Sequence, residues 1–270
     1  MQCIDIESYT HQYVQTMTYA LSSKWLLRKP ISDPSMRLFC LPYAGGGASA
    51  YRSWQEALPA GIEVCGVQLP GREGRVGEEP VTTLAGLVPT LADALGMWLD
   101  RPFALFGHSM GALIAFELAR HLQRSGDPVP AVLFASAHHA PHLPRGTARL
   151  ATLPDQALME QVRAMGGTPQ ELLDNRELLE LILPVLRADF SICESYAYQD
   201  EPKLALPIEV FGGLDDRTVT HGELTPWSAH TGSRFRIRML PGNHFFIHAA
   251  RPLLLRYVAE GLAHREPRAQ

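Results

Sequence analysis

Three residue types capable of nucleophilic catalysis occur in a telling order along this chain. They are a serine between two glycines (Gly107-His108-Ser109-Met110-Gly111), an aspartate pair (Asp215-Asp216), and a histidine behind a Pro-Gly turn (His244). A serine hydroxyl is a weak nucleophile near neutral pH. It attacks carbonyls when an imidazole removes its proton and a carboxylate orients that imidazole. G-x-S-x-G places such a serine on a sharp strand-to-helix turn, and for that turn the partners follow in the order Ser, acid, His. The chemistry to expect is acyl transfer through an acyl-enzyme.

The flanking glycines let neighbouring backbone approach a strained turn, and strain of this kind, about 1–3 kcal/mol, usually marks function. The backbone N–H of Met110, opening the following helix, is placed to donate to a developing oxyanion. For the acid, the pattern G-x-x-D-x-x-V is met by Gly213, Asp216 and Val219, which favours Asp216; Asp215 remains the alternative. A second glycine cluster, "LPYAGGGAS" (41–49), does not fit the dinucleotide fingerprint, which needs G-x-G-x-x-G and an acidic residue after the next strand. Its position suits the other half of an oxyanion hole, with an N–H from Ala44 or Tyr43; a flexible loop is the plainer reading.

Other histidines are weaker candidates. His138, His139 and His142 invite a zinc site, but Pro141 spoils helical spacing and no nearby carboxylate completes a ligand set. They read as a loop lining the site, with no metal expected. His108 adjoins the nucleophile, yet adjacent residues at such a turn point apart. It is assigned to packing, or at most to the substrate-binding surface. His248 is expected on the final helix.

The elements that position these groups are legible as apolar runs. "RLFCL" (37–41), "EVCGVQL" (63–69), "FALFG" (103–107), "AVLFASA" (131–137), "IEVFGG" (208–213) and "RFRIRML" (234–240) read as buried strands, with helix-like stretches between most of them. That alternation implies an α/β architecture with a parallel sheet covered on both faces. About seventy residues separate the strand ending near Ala137 from the one starting near Ile208, too many for an ordinary connection. Within them "LPDQALMEQVRAMGG" is a helix stopping at Gly166-Gly167, Thr168-Pro169-Gln170-Glu171 is a helix start, and "RELLELILPVLRADF" is a long helix with a kink expected at Pro184. The division expected is a core of residues 36–140 and 205–265, a helical lid over 141–204, and an N-terminal extension, 1–35, of unknown role in which "KWLLRK" reads as an edge strand.

Composition narrows the class. With 46% apolar and 19% charged residues the chain is long enough, at 270 residues, to bury a large core. A net charge of −4 gives no global attraction to nucleic acid or anionic lipid. Four cysteines without paired spacing read as reduced thiols, and no apolar run is long enough to span a membrane. A cytoplasmic enzyme is expected.

Taken together, "RLFCLPYAGGGAS", "LPGRE", "RPFALFGHSMGALIAFELAR", "SAHHAPH", "LPVLRADF", "VFGGLDD" and "GNHFF" resemble the stand-alone type II thioesterases of polyketide and nonribosomal peptide synthesis. The resemblance runs from about Arg37 to Phe246. It implies the α/β-hydrolase fold with a mobile helical lid, and an acid at the second position of the Asp-Asp pair, Asp216. It implies acyl or peptidyl carrier domains as partners and an acyl thioester on their phosphopantetheine arm as substrate. The implied role is editing of stalled acyl groups, with no cofactor of the enzyme's own. Tyr43, His108, Met165, Ile182 and Leu186 are candidate pocket residues, and Arg145, Arg149 and Arg163 a candidate docking patch for an acidic carrier, beside the plainer reading of a solvated face. Two departures stand out: a long leader before Ser23, and "TVTHGELTPW", less helical than the family leads one to expect. The rival readings are a generic carboxylesterase, an acyltransferase, and a catalytically dead binding protein of the same fold.

Overall fold

A computed structural model describes residues 24–144, 149–167 and 176–263. Its strands are β1 (Leu26–Arg28), β2 (Met36–Leu41), β3 (Ile62–Val67), β4 (Phe103–His108), β5 (Leu133–Ser136), β6 (Ile208–Gly213) and β7 (Phe235–Leu240). Its helices are α1 (Leu84–Gly96), α2 (Met110–Ser125), α3 (Asp155–Met165), α4 (Arg176–Ser195), α5 (His221–Leu224), α6 (Phe246–Ala249) and α7 (Arg251–Ala263). The strands form one sheet in the order β1-β3-β2-β4-β5-β6-β7. Only β1, on the edge, runs antiparallel to its neighbour. This mostly parallel, helix-flanked sheet is the α/β-hydrolase architecture.

Strands β2, β3, β4 and β6 are buried at every position, as the near-continuous apolar runs require of a sheet covered on both faces. Alternate side chains serve opposite cores. Phe103 and Leu105 of β4 pack with α1 and α2, whereas Ala104 and Phe106 pack with Trp54 and the α7 residues Leu254 and Val258. The small face of α2 is fully buried at Ala112, Ala115 and Ala119. Its larger residues, Leu113, Ile114 and Phe116, each contribute about 1.5–3 kcal/mol by burial. The helix ends on Gly126 in the left-handed conformation (φ 75°), which a side chain would strain.

The segment after β2 folds as a 3-10 helix, Ala48–Trp54, rather than an α-helix. Tyr51 and Trp54, three apart and both buried, match that period. Between β5 and β6, helices α3 and α4 pack on each other through Leu158, Met159, Val162 and Leu186, and α4 runs unbroken past Pro184. The expected helix start at Thr168, Pro169 and Glu171, the cation Arg145 and the leader before Ser23 lie outside the described residues. "TVTHGELTPW" is more helical than the sequence led one to expect. Thr220 caps α5 through a capping box with Glu223, and a 3-10 turn, Thr225–His230, follows.

Sheet order fixes where a site can form. The chain steps from β2 outward to β3 and then returns to pair β4 on the other side of β2. A crevice is thereby left beyond the carboxyl ends of β2 and β4. Leu41 pairs Gly107 in register, so the glycine loop and Ser109 leave the sheet side by side.

Candidate active site

Ser109 joins β4 to α2 with φ 53° and ψ −120°, a conformation that non-glycine residues rarely adopt. The turn is tight because backbone packs on backbone at both flanking glycines. A Cβ on Gly107 would lie 2.0 Å from the Gly111 carbonyl oxygen, and one on Gly111 would lie 2.2 Å from that of Leu41. The Ser109 N–H donates to the Ser136 carbonyl at 2.7 Å, tying the turn to β5. Met110 is the first residue of α2, where helix geometry gives the N–H no partner within the helix.

The loops after β6 and β7 bring the other two groups to this turn. His244 Nε2 is 3.1 Å from Ser109 Oγ, and His244 Nδ1 is 2.8 Å from Asp216 Oδ2. Between the two candidate acids the structure discriminates: Asp216 is buried and bonded to the imidazole, whereas Asp215 is exposed and its N–H donates to the Gly242 carbonyl. The other Asp216 oxygen accepts from Thr218 N (2.8 Å), Val219 N (3.1 Å) and Thr218 Oγ1 (2.7 Å). Burial pushes this carboxyl up, but the His244 and Thr218 bonds outweigh it and hold the group below the usual carboxylate range. Thr218 Oγ1 also lies 2.9 Å from His244 Nδ1. Sequence reasoning missed Thr218; its only trace was its place inside G-x-x-D-x-x-V.

His108 is a correction. Expected at most on the substrate-binding surface, it is fully buried and absent from the cavity wall. Its Nε2–H donates to the His244 carbonyl at 3.0 Å, while Nδ1 accepts from Ser136 Oγ at 2.9 Å. Burial first, and then the neighbouring imidazoles, hold its pKa well below the ordinary histidine value. A neutral His108 thus anchors the backbone of His244 from behind.

A cavity of about 220 Å³ opens over Ser109. Tyr43, Ala44, Met110, Met165 and Leu186 line it, as do His138 and His139 from the histidine cluster. Phe190, Cys193 and Phe245 also face it, unanticipated by the sequence reading. Ile182 is a second correction: it packs inside the α3–α4 cluster, because Leu158, Met159 and Val162 need cover on that face. His142 turns away from the cavity and bonds His230 at 2.7 Å. Among the described residues no group of three or more His, Cys, Asp or Glu could hold a metal ion, and no helix is long and apolar enough to cross a membrane. His248 belongs to the short α6, ahead of the final helix, and accepts from the Tyr43 hydroxyl at 3.2 Å. Arg149 and Arg163 are exposed.

The glycine loop carries two commitments. Gly45 N–H donates to Asp189 at 2.8 Å and Gly46 N–H to the Tyr43 carbonyl at 2.9 Å, while Ala44 lines the cavity beside Ser109 and Met110. On the far side of the loop the Glu73 carboxylate receives Ser49 N–H and Ser49 Oγ and packs where a Cβ on Gly47 would sit.

A thioesterase-domain family model matches residues 36–260. The linear gramicidin dehydrogenase LgrE of Brevibacillus parabrevis is 44% identical, over 91% of this chain and 95% of its own length. The gramicidin S biosynthesis protein GrsT of Aneurinibacillus migulanus is 41% identical, over 89% and 94%. Among solved structures, the type II thioesterase BorB of the borrelidin biosynthetic cluster superposes with a TM-score of 0.82 at 36% identity, covering 88% of this chain and 97% of that one. The helix N-terminus after β2, where a dinucleotide would rest its pyrophosphate, is occupied by the Glu73 carboxylate.

Proposed function

This chain belongs to the thioesterase family, and from that premise we propose that it is a stand-alone editing enzyme with Ser109, His244 and Asp216 as its catalytic groups. Its substrates are acyl groups held as thioesters on the phosphopantetheine arms of acyl or peptidyl carrier domains in polyketide or nonribosomal peptide assembly. The observation that carries this reading is the unbroken run of hydrogen bonds from Ser109 Oγ through His244 to Asp216, opening into an apolar cavity.

The geometry supports a two-step acyl transfer. His244 Nδ1–H donates to Asp216, which leaves Nε2 as the basic lone pair aimed at Ser109 Oγ. The imidazole takes the hydroxyl proton as Oγ attacks the thioester carbonyl, and Asp216 stabilises the imidazolium that forms. The N–H groups of Met110 and Ala44 hold the tetrahedral oxyanion. The C–S bond breaks and the pantetheine thiolate leaves, protonated by the imidazolium. Water, deprotonated by His244, then attacks the acyl-serine, and the imidazolium returns that proton to Ser109 Oγ as the acyl–oxygen bond breaks and the carboxylic acid leaves. The protein supplies all of these groups itself, and Met165, Leu186 and Phe190 enclose the acyl chain.

The test is mass spectrometry of a carrier protein loaded with several acyl groups, before and after exposure to the enzyme. Loss of the acyl mass with return of the free phosphopantetheine form is expected, abolished by Ser109→Ala. A carrier left fully acylated, while a p-nitrophenyl ester of the same acyl chain is turned over rapidly, would replace this reading with a generic carboxylesterase. Failure of a fluorophosphonate to label Ser109 would replace it with a binding protein.

A further inference from the structure

A buried ion pair that the mechanism above does not use joins the helical insertion to the oxyanion loop. Asp189 on α4 is wholly buried and takes two parallel bonds from Arg72, at 2.8 Å from Nη1 and 2.7 Å from Nη2. The same carboxylate accepts Gly45 N–H at 2.8 Å, and Arg72 Nη1 also donates to the Gly46 carbonyl at 3.1 Å. One turn earlier on α4, Leu186 lies over Gly45. A Cβ there would be 2.7 Å from Leu186 Cδ2, and Gly45 has φ 75°. The turn closed by Gly46 N–H on the Tyr43 carbonyl, which contains Ala44, is therefore gripped by Arg72 on one flank and by α4 on the other.

A guanidinium–carboxylate fork fixes geometry in two dimensions, where a single contact would fix a distance. A buried pair is a poor device for stability alone, since apolar residues of similar volume often serve as well. Its place beside the oxyanion loop suggests a different use. We propose that Arg72 and Asp189 are positioning residues that hold Ala44 N–H in register with Met110 N–H only while α4 is seated on the loop. Displacing α4 would carry Asp189 away from both Arg72 and Gly45, so oxyanion stabilisation is coupled to closure of the insertion over the acyl chain. This rests on the oxyanion-hole assignment made above.

The test compares Arg72→Lys, Asp189→Asn and the volume-preserving pair Arg72→Met/Asp189→Leu with the wild type. Each is assayed on an acyl-pantetheine thioester and on the p-nitrophenyl ester of the same acid, with an alkyl trifluoromethyl ketone as the tetrahedral mimic. Misplacement of a catalytic group by about 1 Å costs about 100-fold. Both single variants should lose about 10- to 100-fold in kcat on both substrates with KM within about threefold, and bind the ketone weaker by a matching factor. The double variant should keep a wild-type Tm yet stay slow, with a loss well below the product of the single losses. Recovery of kcat along with Tm in the double variant, or a loss confined to KM, would overturn the proposal. Because the ester reports on the oxyanion whatever the leaving group, a wild type active on the ester but inert on the thioester would defeat the substrate assignment and leave this coupling testable.

Discussion

Asp216 and Asp189 are both buried carboxylates beside one cavity, and they are bound in opposite ways. Asp216 draws its fixed bonds from Thr218 and Val219, within three residues of itself, and spends its remaining oxygen on His244. Asp189 draws its bonds from residues 117 and 144 positions away, one of them the Arg72 guanidinium. The first carboxylate is oriented by neutral dipoles. It still has its charge to offer when the imidazole beside it becomes cationic. The second is forked to a guanidinium and bonded to the glycine loop inside the fold, so it fixes where two segments meet. The same side chain becomes a catalytic group or a fastener according to whether its partner is the imidazole facing Ser109 or a guanidinium on another loop.

The largest test of this contrast is Asp216→Asn. The amide keeps the volume but presents the wrong hydrogen-bonding partner to Nδ1, so His244 is held in the unproductive tautomer. kcat should fall about 10⁴-fold, measured by single-turnover release of acid from an acyl thioester, with Tm lowered by less than in Asp189→Ala. A loss under tenfold would mean that Thr218 Oγ1, 2.9 Å from the same nitrogen, can orient the imidazole unaided.

Asp189→Ala should shift the balance, with a kcat loss about 100-fold, far smaller than that of Asp216→Asn, and a far larger loss of stability. It strands Arg72 with its side chain only 6% exposed, and breaking a buried pair costs about 3–5 kcal/mol of stability. Urea unfolding would show the midpoint move far more than for Asp216→Asn. If the two variants unfold alike, the distinction between catalytic and fastening carboxylates fails.

How much of this was legible in the sequence follows from the same contrast. The strands that deliver Ser109 and Asp216 were readable to within a few residues because a strand buried on both faces reads as a near-continuous apolar run, as in Phe103–His108. The turn at Ser109 was readable because only glycine tolerates backbone contact at positions 107 and 111. Interactions that cross the chain left no periodic trace. "LPGRE" and "LPVLRADF" were recognisable as strings, but nothing in either says that Arg72 reaches Asp189. His108 was read as a packing residue, but its partners were not legible for a related reason: Ser136 Oγ lies on β5 and the His244 carbonyl on the loop after β7. The helix α5 was missed because four residues carry no amphipathic period; only the Thr220–Glu223 capping box announced it.

The finest test concerns groups that refuse charge rather than hold it. Asp216, with a depressed pKa, contributes stability above the usual carboxylate range and loses it only as pH falls through that range and below. The buried imidazoles behave oppositely to a partnered cation. His230 is pushed down to about 4 by burial first and then by His142, Arg120 and Lys203, against the weaker pull of Asp200. The unfolded chain binds a proton at this histidine below about pH 6.5 whereas the folded chain does not, so stability falls with falling pH between about 6.5 and 4. The slope is about 1.4 kcal/mol per pH unit for each imidazole kept neutral. His230→Asn removes one such contribution. Urea unfolding of variant and wild type should therefore differ by a constant amount above pH 7, and the gap should shift in the variant's favour by about 2 kcal/mol from pH 6 to pH 4.5. Curves that stay parallel through that interval would mean that His230 takes up its proton equally in both states, and that the His142 contact at 2.7 Å opens readily to water.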